Sequence, residues 1–270
     1  MDLRFSTLSA LIIALTLMVF AVGASPVLVE ADFDGAEYSL GSLDGQNGWT
    51  VLQGTATIVD DGAAHSGARS VSLAQNTVVD RSISAPGQAI VWTRTHFRGA
   101  GTDVAPNYPS GEAASAIVHF SSTDGIQLAD GDGAGGYSAW VNTGVSIDDD
   151  GTWYEILIRQ DYTNQLWDCY IDGTLEGQDL GFRDNSVTQL NGFRQYAGVA
   201  SSMDTFLTRY RSPGDLDGDG DSDASDVVLN VNAENSPPTD PIAFSDADFD
   251  DDGVIEPEDV TATVNLILSN

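Results

Sequence analysis

Short apolar stretches separated by polar residues and glycines fill most of the chain, and this pattern is typical of β-strands. In TWYEILIRQ, Tyr154, Ile156 and Ile158 share one face of a predicted strand, while Glu155 and Arg159 share the other. The stretch QLWDCYIDG follows after a short polar turn and alternates in the same way. We therefore expect these two stretches to form a β-hairpin.

The same pattern predicts further strands along residues 27–211. They are TVLQGTATIV, ARSVSLA, AIVWTRTHFRG, SAIVHFSS, GIQLAD, GYSAWVN, NGFRQYAGV and DTFLTRYR. A convincing amphipathic helix pattern first appears at residue 224. Ten or more short strands at this spacing predict two packed antiparallel sheets. A segment of this length, about 185 residues, suffices for one such core.

The balance of charge changes near residue 213. The chain has 41 acidic and 10 basic residues, and its formal net charge is −31. Residues 213–270 hold 16 of the acids and no base, since the last base is Arg211. Nucleic acid is excluded as a partner because phosphate binding needs a basic face. We expect two units, residues 27–211 and residues 213–270, joined by a short connection.

The N-terminus has the features of a secretory signal peptide over residues 1–24. Arg4 precedes a long apolar run, and small residues predict cleavage near Ala24. An uncleaved anchor is the alternative, and no later stretch is apolar enough to span a bilayer. Cys169 is the only cysteine, which excludes an intrachain disulfide. Its strand pattern favours a buried thiol over a reactive one. We expect a protein that is secreted or held at the cell surface, without membrane contact after cleavage.

Two acidic loops dominate residues 213–270. The first, DLDGDGDSDASD, occupies residues 215–226, and the second, DFDDDGVIEPED, occupies residues 248–259. Acidic residues take positions 1, 3, 5, 9 and 12 of each loop and glycine takes position 6, which is the pattern of an EF-hand calcium loop. The predicted ligands of two calcium ions are Asp215, Asp217, Asp219, Asp221, Asp223 and Asp226 in the first loop, and Asp248, Asp250, Asp252, Val254, Glu256 and Asp259 in the second.

The spacing of the acids has a physical basis. Alternate residues of a tightly wound loop point inward, and position 12 returns a carboxylate from the first turn of the next helix. Position 7 contributes its backbone carbonyl, so we expect the side chain of Asp221 to be free. Calcium suits six to eight oxygen ligands, whereas zinc prefers cysteine and histidine. A disordered acidic tail is the alternative. Because so short a segment has little core, we expect its folding to depend on the metal.

An apolar helical pattern follows each loop, and SPPTDPIAF is predicted to interrupt the chain between them. Two loop–helix units without entering helices resemble dockerin type I modules, and aspartate at position 12 fits that resemblance. It implies a cohesin-like partner in extracellular assemblies that degrade polysaccharides. The family's recognition positions hold Ala224 and Ser225 in one loop and Pro257 and Glu258 in the other, and neither helix carries a base. The resemblance therefore implies a different specificity from that of the well-known scaffolds.

The segments FDGAEYSLGSLDGQNGW, GTATIVDDGAAHSGARSVSL and TWYEILIRQDYTNQLWDCYIDG resemble concanavalin A-like, laminin-G-like jelly rolls of secreted bacterial proteins. This resemblance implies a jelly-roll β-sandwich that hosts glycan binding, glycoside hydrolysis, polysaccharide cleavage or plain adhesion. A glycosidase needs two carboxylates at a set separation, and no matching motif is present. Among the scattered glutamates, Glu155 is the best catalytic candidate, and the alternative is a side chain that faces solvent or pairs with Arg159. No catalytic residue is assigned.

Other candidates in the sandwich have ordinary structural alternatives. The aromatic residues Tyr108, Tyr137, Trp140 and Trp153 lie in or beside loops, where they would stack on sugar rings or pack in the core. A joint site of His96 and His119 on adjacent strands is one hypothesis, and ordinary half-buried histidines are the alternative that the pattern favours. An additional calcium ion near Asp32 and Asp34 is a further hypothesis.

Together these features predict a mostly β protein: a jelly-roll sandwich followed by a small α-helical, calcium-binding, dockerin-like module. The expected function is secreted docking or adhesion, in which the module attaches a carbohydrate-binding sandwich to a cohesin-like partner. Two alternatives stay open. One is a polysaccharide hydrolase or lyase on the jelly roll, which the sequence favours less than a non-enzymatic protein. The other is a structural surface protein whose calcium module caps the sandwich.

Overall fold

The computed structural model describes residues 26–85, 87–102, 113–148 and 151–269. The predicted signal peptide, residues 1–24, lies outside the described residues. None of the described helices has the length and apolar character that crossing a membrane requires.

Antiparallel strands occupy the described residues up to 210, and helices follow from residue 224. The strands are β1 Val27–Ala31, β2 Gly41–Ser42, β3 Trp49–Gln53, β4 Ala56–Val59, β5 Ser70–Leu73, β6 Thr77–Ser82, β7 Ile90–Gly99, β8 Val118–Ser121, β9 Gly125–Gly131, β10 Tyr137–Asn142, β11 Tyr154–Asp161, β12 Leu166–Ile171, β13 Thr174–Gly181, β14 Gly192–Ala197 and β15 Ser201–Tyr210. The helices are α1 Ala224–Asn235, α2 Pro241–Ala247 and α3 Pro257–Ser269.

The described strands form one large sheet and two small ones. The large sheet has the order β13-β12-β11-β7-β15-β5-β4-β2, and β1 also pairs with β15. The small sheets are β10-β9-β8 and β14-β6-β3. The predicted hairpin is confirmed, because β11 and β12 pair antiparallel from Ile156 opposite Ile171 to Asp161 opposite Leu166.

Both small sheets pack on the inner face of the large sheet. The ring of Trp49 in β3 lies 5.3 Å from that of Phe206 in β15, and Phe120 in β8 lies 4.0 Å from Phe97 in β7. Cys169 is fully buried in this core. Burial raises the pKa of its thiol, which agrees with the inert interpretation. The predicted fold class, a mostly β sandwich followed by a small helical segment, is confirmed.

The outer face of the large sheet carries arginines on its central strands. Register places Arg94 of β7 between Leu157 of β11 and Leu207 of β15, so every second residue of these strands points outward. Helix α2 packs against this face, where Ile242 lies in one buried cluster with Trp92 and Leu157. The helical segment therefore lies directly against the sandwich.

Candidate metal centre and its support on the sandwich

In the first acidic loop, the carboxylate at position 12 ties the loop together. Asp226 Oδ1 accepts a hydrogen bond from Leu216 N at 2.7 Å, and its Oδ2 accepts one from Asp223 N at 2.8 Å. Asp223 in turn caps α1, where its side chain accepts from Ser225 N. The loop and the helix that follows it are thus one hydrogen-bonded unit.

The second loop repeats this arrangement. Asp259 Oδ1 accepts from Phe249 N at 2.7 Å, and its Oδ2 accepts from Glu256 N at 2.8 Å. The glycines at position 6 have positive φ angles, 97° for Gly220 and 87° for Gly253, which side-chain-bearing residues rarely adopt. Two segments 33 residues apart therefore share one local fold.

The same three positions converge in both loops. Asp215, Asp217 and Asp226 each offer a carboxylate oxygen within 4.8 Å of the others, and so do Asp248, Asp250 and Asp259. Among the described residues, groups of this kind occur only in these two loops.

The other predicted ligands do not belong to these two groups of three. Asp221 and Asp223 form a further group with Asp226, whereas the side chain of Asp221 was expected to take no part in binding. Asp219 and Asp252 at position 5 lie outside these groups, and each accepts the N–H two residues on. Glu256 also lies outside the groups, and Val254 has an exposed side chain.

The first loop contains a buried oxygen that needs a partner. Asp215 is 2 % exposed, and its Oδ1 has no hydrogen-bond partner. Burial is the main cause that raises the pKa of Asp215, and the neighbouring Asp226 adds to it. The pKa of Asp248 is raised in the same way, with Asp259 as the neighbour. A hard cation fits this all-oxygen donor set. It would offset both the cost of burying these carboxylates and the repulsion between them.

The two loop–helix units pack against each other through equivalent residues. Asn230 and Thr263 each lie four residues after position 12, and Asn230 Nδ2 donates to Thr263 Oγ1 at 2.9 Å in a buried contact. Ile255, at position 8 of the second loop, is buried with Ala233 and Ala247. Ser222 holds the same position in the first loop, so the apolar contact is present on one side only.

The expectation that the second loop lacks an entering helix is wrong. Helix α2, residues 241–247, leads directly into that loop, and Asp240 caps it by accepting from Ile242 N. Aspartate before proline at the first helical position is a start signal that sequence reasoning could have used. No helix precedes the first loop among the described residues.

Four of the ten bases of the chain hold α2 and the second loop. Arg94 pairs with Asp240 at 2.5 Å, and Arg209 pairs with Asp246 at 2.6 Å. The other two contacts reach the loop itself. Arg159 donates to Asp251 at 2.7 Å, and Arg211 donates to the backbone oxygens of Asp248 and Ser245.

This arginine contact face is the main electrostatic feature that sequence reasoning missed. Within a chain of net charge −31, it places basic side chains against residues 213–270, which contain no base. Asp246 lies at its centre, 2 % exposed, and burial raises the pKa of its carboxyl to about 6 despite Arg209. The position of the second loop is thus set by the sandwich as well as by its own fold.

The catalytic candidate Glu155 has structural partners. Its carboxylate lies 3.4 Å from Arg94 and 3.7 Å from His96, so the expected pairing with Arg159 is wrong. Arg159 pairs instead with Asp168 and Asp251.

The hypothesis that His96 and His119 form a joint site is wrong. The two residues lie in different sheets, and His96 stacks on His65 with ring centroids 3.5 Å apart. Burial lowers the pKa of His96 to about 4, with His65 and Arg94 adding to the effect. The stacked rings hold the loop that contains His65 against the large sheet.

The aromatic candidates are dispersed. Tyr137 is partly exposed, and its ring lies 5.0 Å from that of Trp140. Trp153 packs under the guanidinium of Arg98, 4.7 Å from its ring centroid. Tyr108 lies outside the described residues.

The hypothesis of a third calcium ion finds no group of ligands. Asp32 accepts from Asp34 N and Gly35 N, and Asp34 accepts from Ala68 N. In the described part of the chain, no three acidic or histidine ligands converge there.

A cavity of about 530 Å³ lies inside the sandwich. Its floor is the inner face of β7 and β11, and its walls include β8 of one small sheet and β14 of the other. The described second layer is divided into these two sheets, so the cavity lies where that layer is not continuous.

No protein-family model and no curated protein matches the chain. Among solved structures, the chain is similar to a sialidase, with 13 % identity and a TM-score of 0.49, over 79 % of this chain and 21 % of that one. It is similar to domain 4 of an extracellular arabinanase from Geobacillus stearothermophilus in complex with arabinotriose, with 13 % identity and a TM-score of 0.40, over 68 % and 92 %. An alginate lyase from a Chlorella virus matches with 12 % identity and a TM-score of 0.42, over 64 % and 98 %.

The chain spans about a fifth of the length of that sialidase. At these identities and TM-scores, the similarities give no information on activity, substrate or ligand. Fold and site together define a β-sandwich protein with a C-terminal helical segment that carries paired acidic loops.

Proposed function

We propose that residues 213–270 form a calcium-binding module with one ion in each loop. The observation that carries the proposal is the repeated convergence of positions 1, 3 and 12 in a segment without a base. Asp215, Asp217 and Asp226 would hold the first ion, and the equivalent residues of the second loop would hold the other. When bound, calcium neutralises carboxylates that otherwise repel one another.

Thermal unfolding of the full chain tests this proposal. Calcium in excess stabilises any state that binds it, by about 2.7 kcal/mol per site at a hundredfold excess over Kd. We expect melting at higher temperature in calcium than in chelator. The double variant Asp226→Asn, Asp259→Asn should lose that difference. A wild-type chain that melts identically in both buffers would contradict the proposal.

The role proposed for the module is docking to a cohesin-like extracellular partner. Aliphatic side chains on the helices support it: Val228 and Val231, one turn apart on α1, are 60 % and 41 % exposed, and Leu268 on α3 is 79 % exposed. The test is capture of secreted and envelope proteins of the source organism on the immobilised full chain, in calcium and in chelator. Val228→Asp should abolish capture of a calcium-dependent partner. A partner retained equally in chelator and by the variant would refute docking through this face.

A second candidate role is a calcium-stabilised cap on the sandwich, and the arginine contact face favours it. If the module is a cap, calcium should raise the unfolding temperature of the sandwich core as well as that of the module. Trp92 lies at the contact, and Trp49 and Trp167 lie in the core, so tryptophan fluorescence reports on both regions. Separate transitions, of which only the first depends on calcium, would argue against the cap.

The sandwich is proposed as the ligand-binding part, with a glycan as its ligand. Polysaccharide hydrolysis or lysis on the sandwich is the enzymatic alternative. Since Glu155 is engaged by Arg94 and His96, binding is the better supported of the two. Release of reducing ends or unsaturated products from a polysaccharide panel would favour the enzyme, provided that an acidic-residue variant loses it.

A further inference from the structure

The cavity inside the sandwich has a polar floor on a face that is otherwise core. Val91, Thr93, Thr95 and Phe97 point inward from β7, and the first and last of them are buried apolar residues. The two threonines between them line the cavity. Close packing against a second layer would favour aliphatic side chains at these positions.

Five lining residues have buried polar atoms without a hydrogen-bond partner. These atoms are Thr95 Oγ1, Ser201 Oγ, Gln195 Nε2, Tyr162 Oη, and Nε and Nη1 of Arg81. Thr95 and Ser201 are each 8 % exposed, so more than nine-tenths of each residue is buried. Unpaired buried hydroxyl and amide groups are unfavourable unless a water molecule or a ligand satisfies them. Here they line a cavity whose volume falls within the range of small-molecule sites.

The polar groups of the lining suit a sugar-like ligand without a positive charge. Hydroxyl groups both donate and accept, and the amide nitrogen donates, so they suit a ligand that carries hydroxyl groups. Ile156 and Ile158 add an apolar surface to the floor. Asp80 and Arg194 form a two-bond ion pair at 2.6 and 2.8 Å and offset each other's charge. The guanidinium of Arg81 also lines the cavity, and its positive charge disfavours a cationic ligand.

We propose that this cavity binds a polyhydroxylated ligand, a mono- or disaccharide unit, through Thr95, Ser201 and Gln195. A sugar ring combines apolar C–H faces with hydroxyl groups at its edge, which matches the mixed lining. This inference rests on the proposed glycan-binding role of the sandwich and assigns a site and a ligand class to it.

Isothermal titration of residues 25–270 in calcium tests the assignment. The probes are neutral mono- and disaccharides and uronic acids, with amino sugars of the same size as cationic controls. We expect neutral and acidic sugars to bind and amino sugars to bind at least about tenfold more weakly, because Arg81 repels a positive charge. Thr95→Val removes one hydroxyl at constant shape, so it should weaken binding about tenfold and raise the melting temperature.

Thr208→Val is the matched control. Thr208 Oγ1 is also buried and unpaired on the same face of the large sheet, but Thr208 does not line the cavity. Its replacement should raise the melting temperature in the same way and leave sugar binding unchanged. Equal loss of binding in both variants, unchanged binding in Thr95→Val, or preferential binding of an amino sugar would overturn the proposal.

Calcium titration of the same samples keeps the two proposals apart. A chain that binds calcium but neither neutral nor acidic sugars overturns the cavity assignment and leaves the metal proposal standing. A chain that binds sugar but no calcium overturns the metal proposal and leaves the cavity assignment standing.

Discussion

Replacing Arg211 by methionine should weaken calcium binding at the second loop and spare the first. Arg211 Nε donates to the backbone and side-chain oxygens of Ser245, both at 3.0 Å, and the guanidinium also reaches the backbone oxygen of Asp248 at loop position 1. Its side chain is 11 % exposed. Methionine keeps most of the aliphatic stem, so the change removes the hydrogen bonds and the charge.

The size of the effect follows from these bonds. A hydrogen bond to a charged group contributes about 1.5–3 kcal/mol, and losing a buried charged partner costs about 2–5 kcal/mol. We take about 3 kcal/mol for this largely buried contact, which corresponds to about a hundredfold in an equilibrium constant. Repulsion between the guanidinium and Ca²⁺ works in the opposite direction. The expected net result is a second-site Kd at least about tenfold weaker.

Calcium titration followed by calorimetry and by tryptophan fluorescence separates the two sites, since Trp92 lies at the contact with α2. Arg194→Met is the matched control, because Arg194 pairs with Asp80 on the sandwich rather than with the module. The control should bind both ions as the wild type does. Equal weakening of both sites, tighter binding, or no change in Arg211→Met would refute the coupling between sandwich and second loop.

Three other predictions follow from burial in the sandwich. The pKa of His96 falls from 6.5 to about 4 on folding, so the unfolded chain binds more protons between these values. Stability present above pH 6.5, about 2–3 kcal/mol, should be lost as the pH falls through 4. Urea unfolding at pH 7 and 4.5 checks this, and a His96→Gln variant with the same pH dependence would contradict it. The Cys169 thiol should resist alkylation in the native chain and react only after denaturation, as mass spectrometry would show; rapid native labelling would disprove its burial. Phe206→Ala should lower the free energy of unfolding by about 3–5 kcal/mol, whereas Leu175→Ala at an exposed position should change it by less than about 0.5 kcal/mol.

The sequence predicts strands best where alternation is regular. The hairpin of β11 and β12 follows from such alternation. The sequence pattern does not predict strands β6, TVVDRS, and β13, TLEGQDLG, because charged residues and glycine interrupt the alternation of apolar and polar residues in them. Pairing with neighbouring strands, which a local pattern does not contain, stabilises them.

The acidic loops can be located from sequence because ligand spacing is local. Their support on the sandwich cannot. Arg94, Arg159 and Arg209 come from distant parts of the chain and become neighbours only because β7, β11 and β15 are adjacent in the large sheet. The unpaired hydroxyl groups of the cavity depend in the same way on how the second layer is divided.

The most direct test of the account is the calcium stoichiometry of the full chain. Calorimetric titration should give two ions per chain. Asp226→Asn should remove the first and Asp259→Asn the second, each leaving one ion bound. A wild-type chain that binds no calcium, or variants that both still bind two ions, would contradict the assignment of these loops.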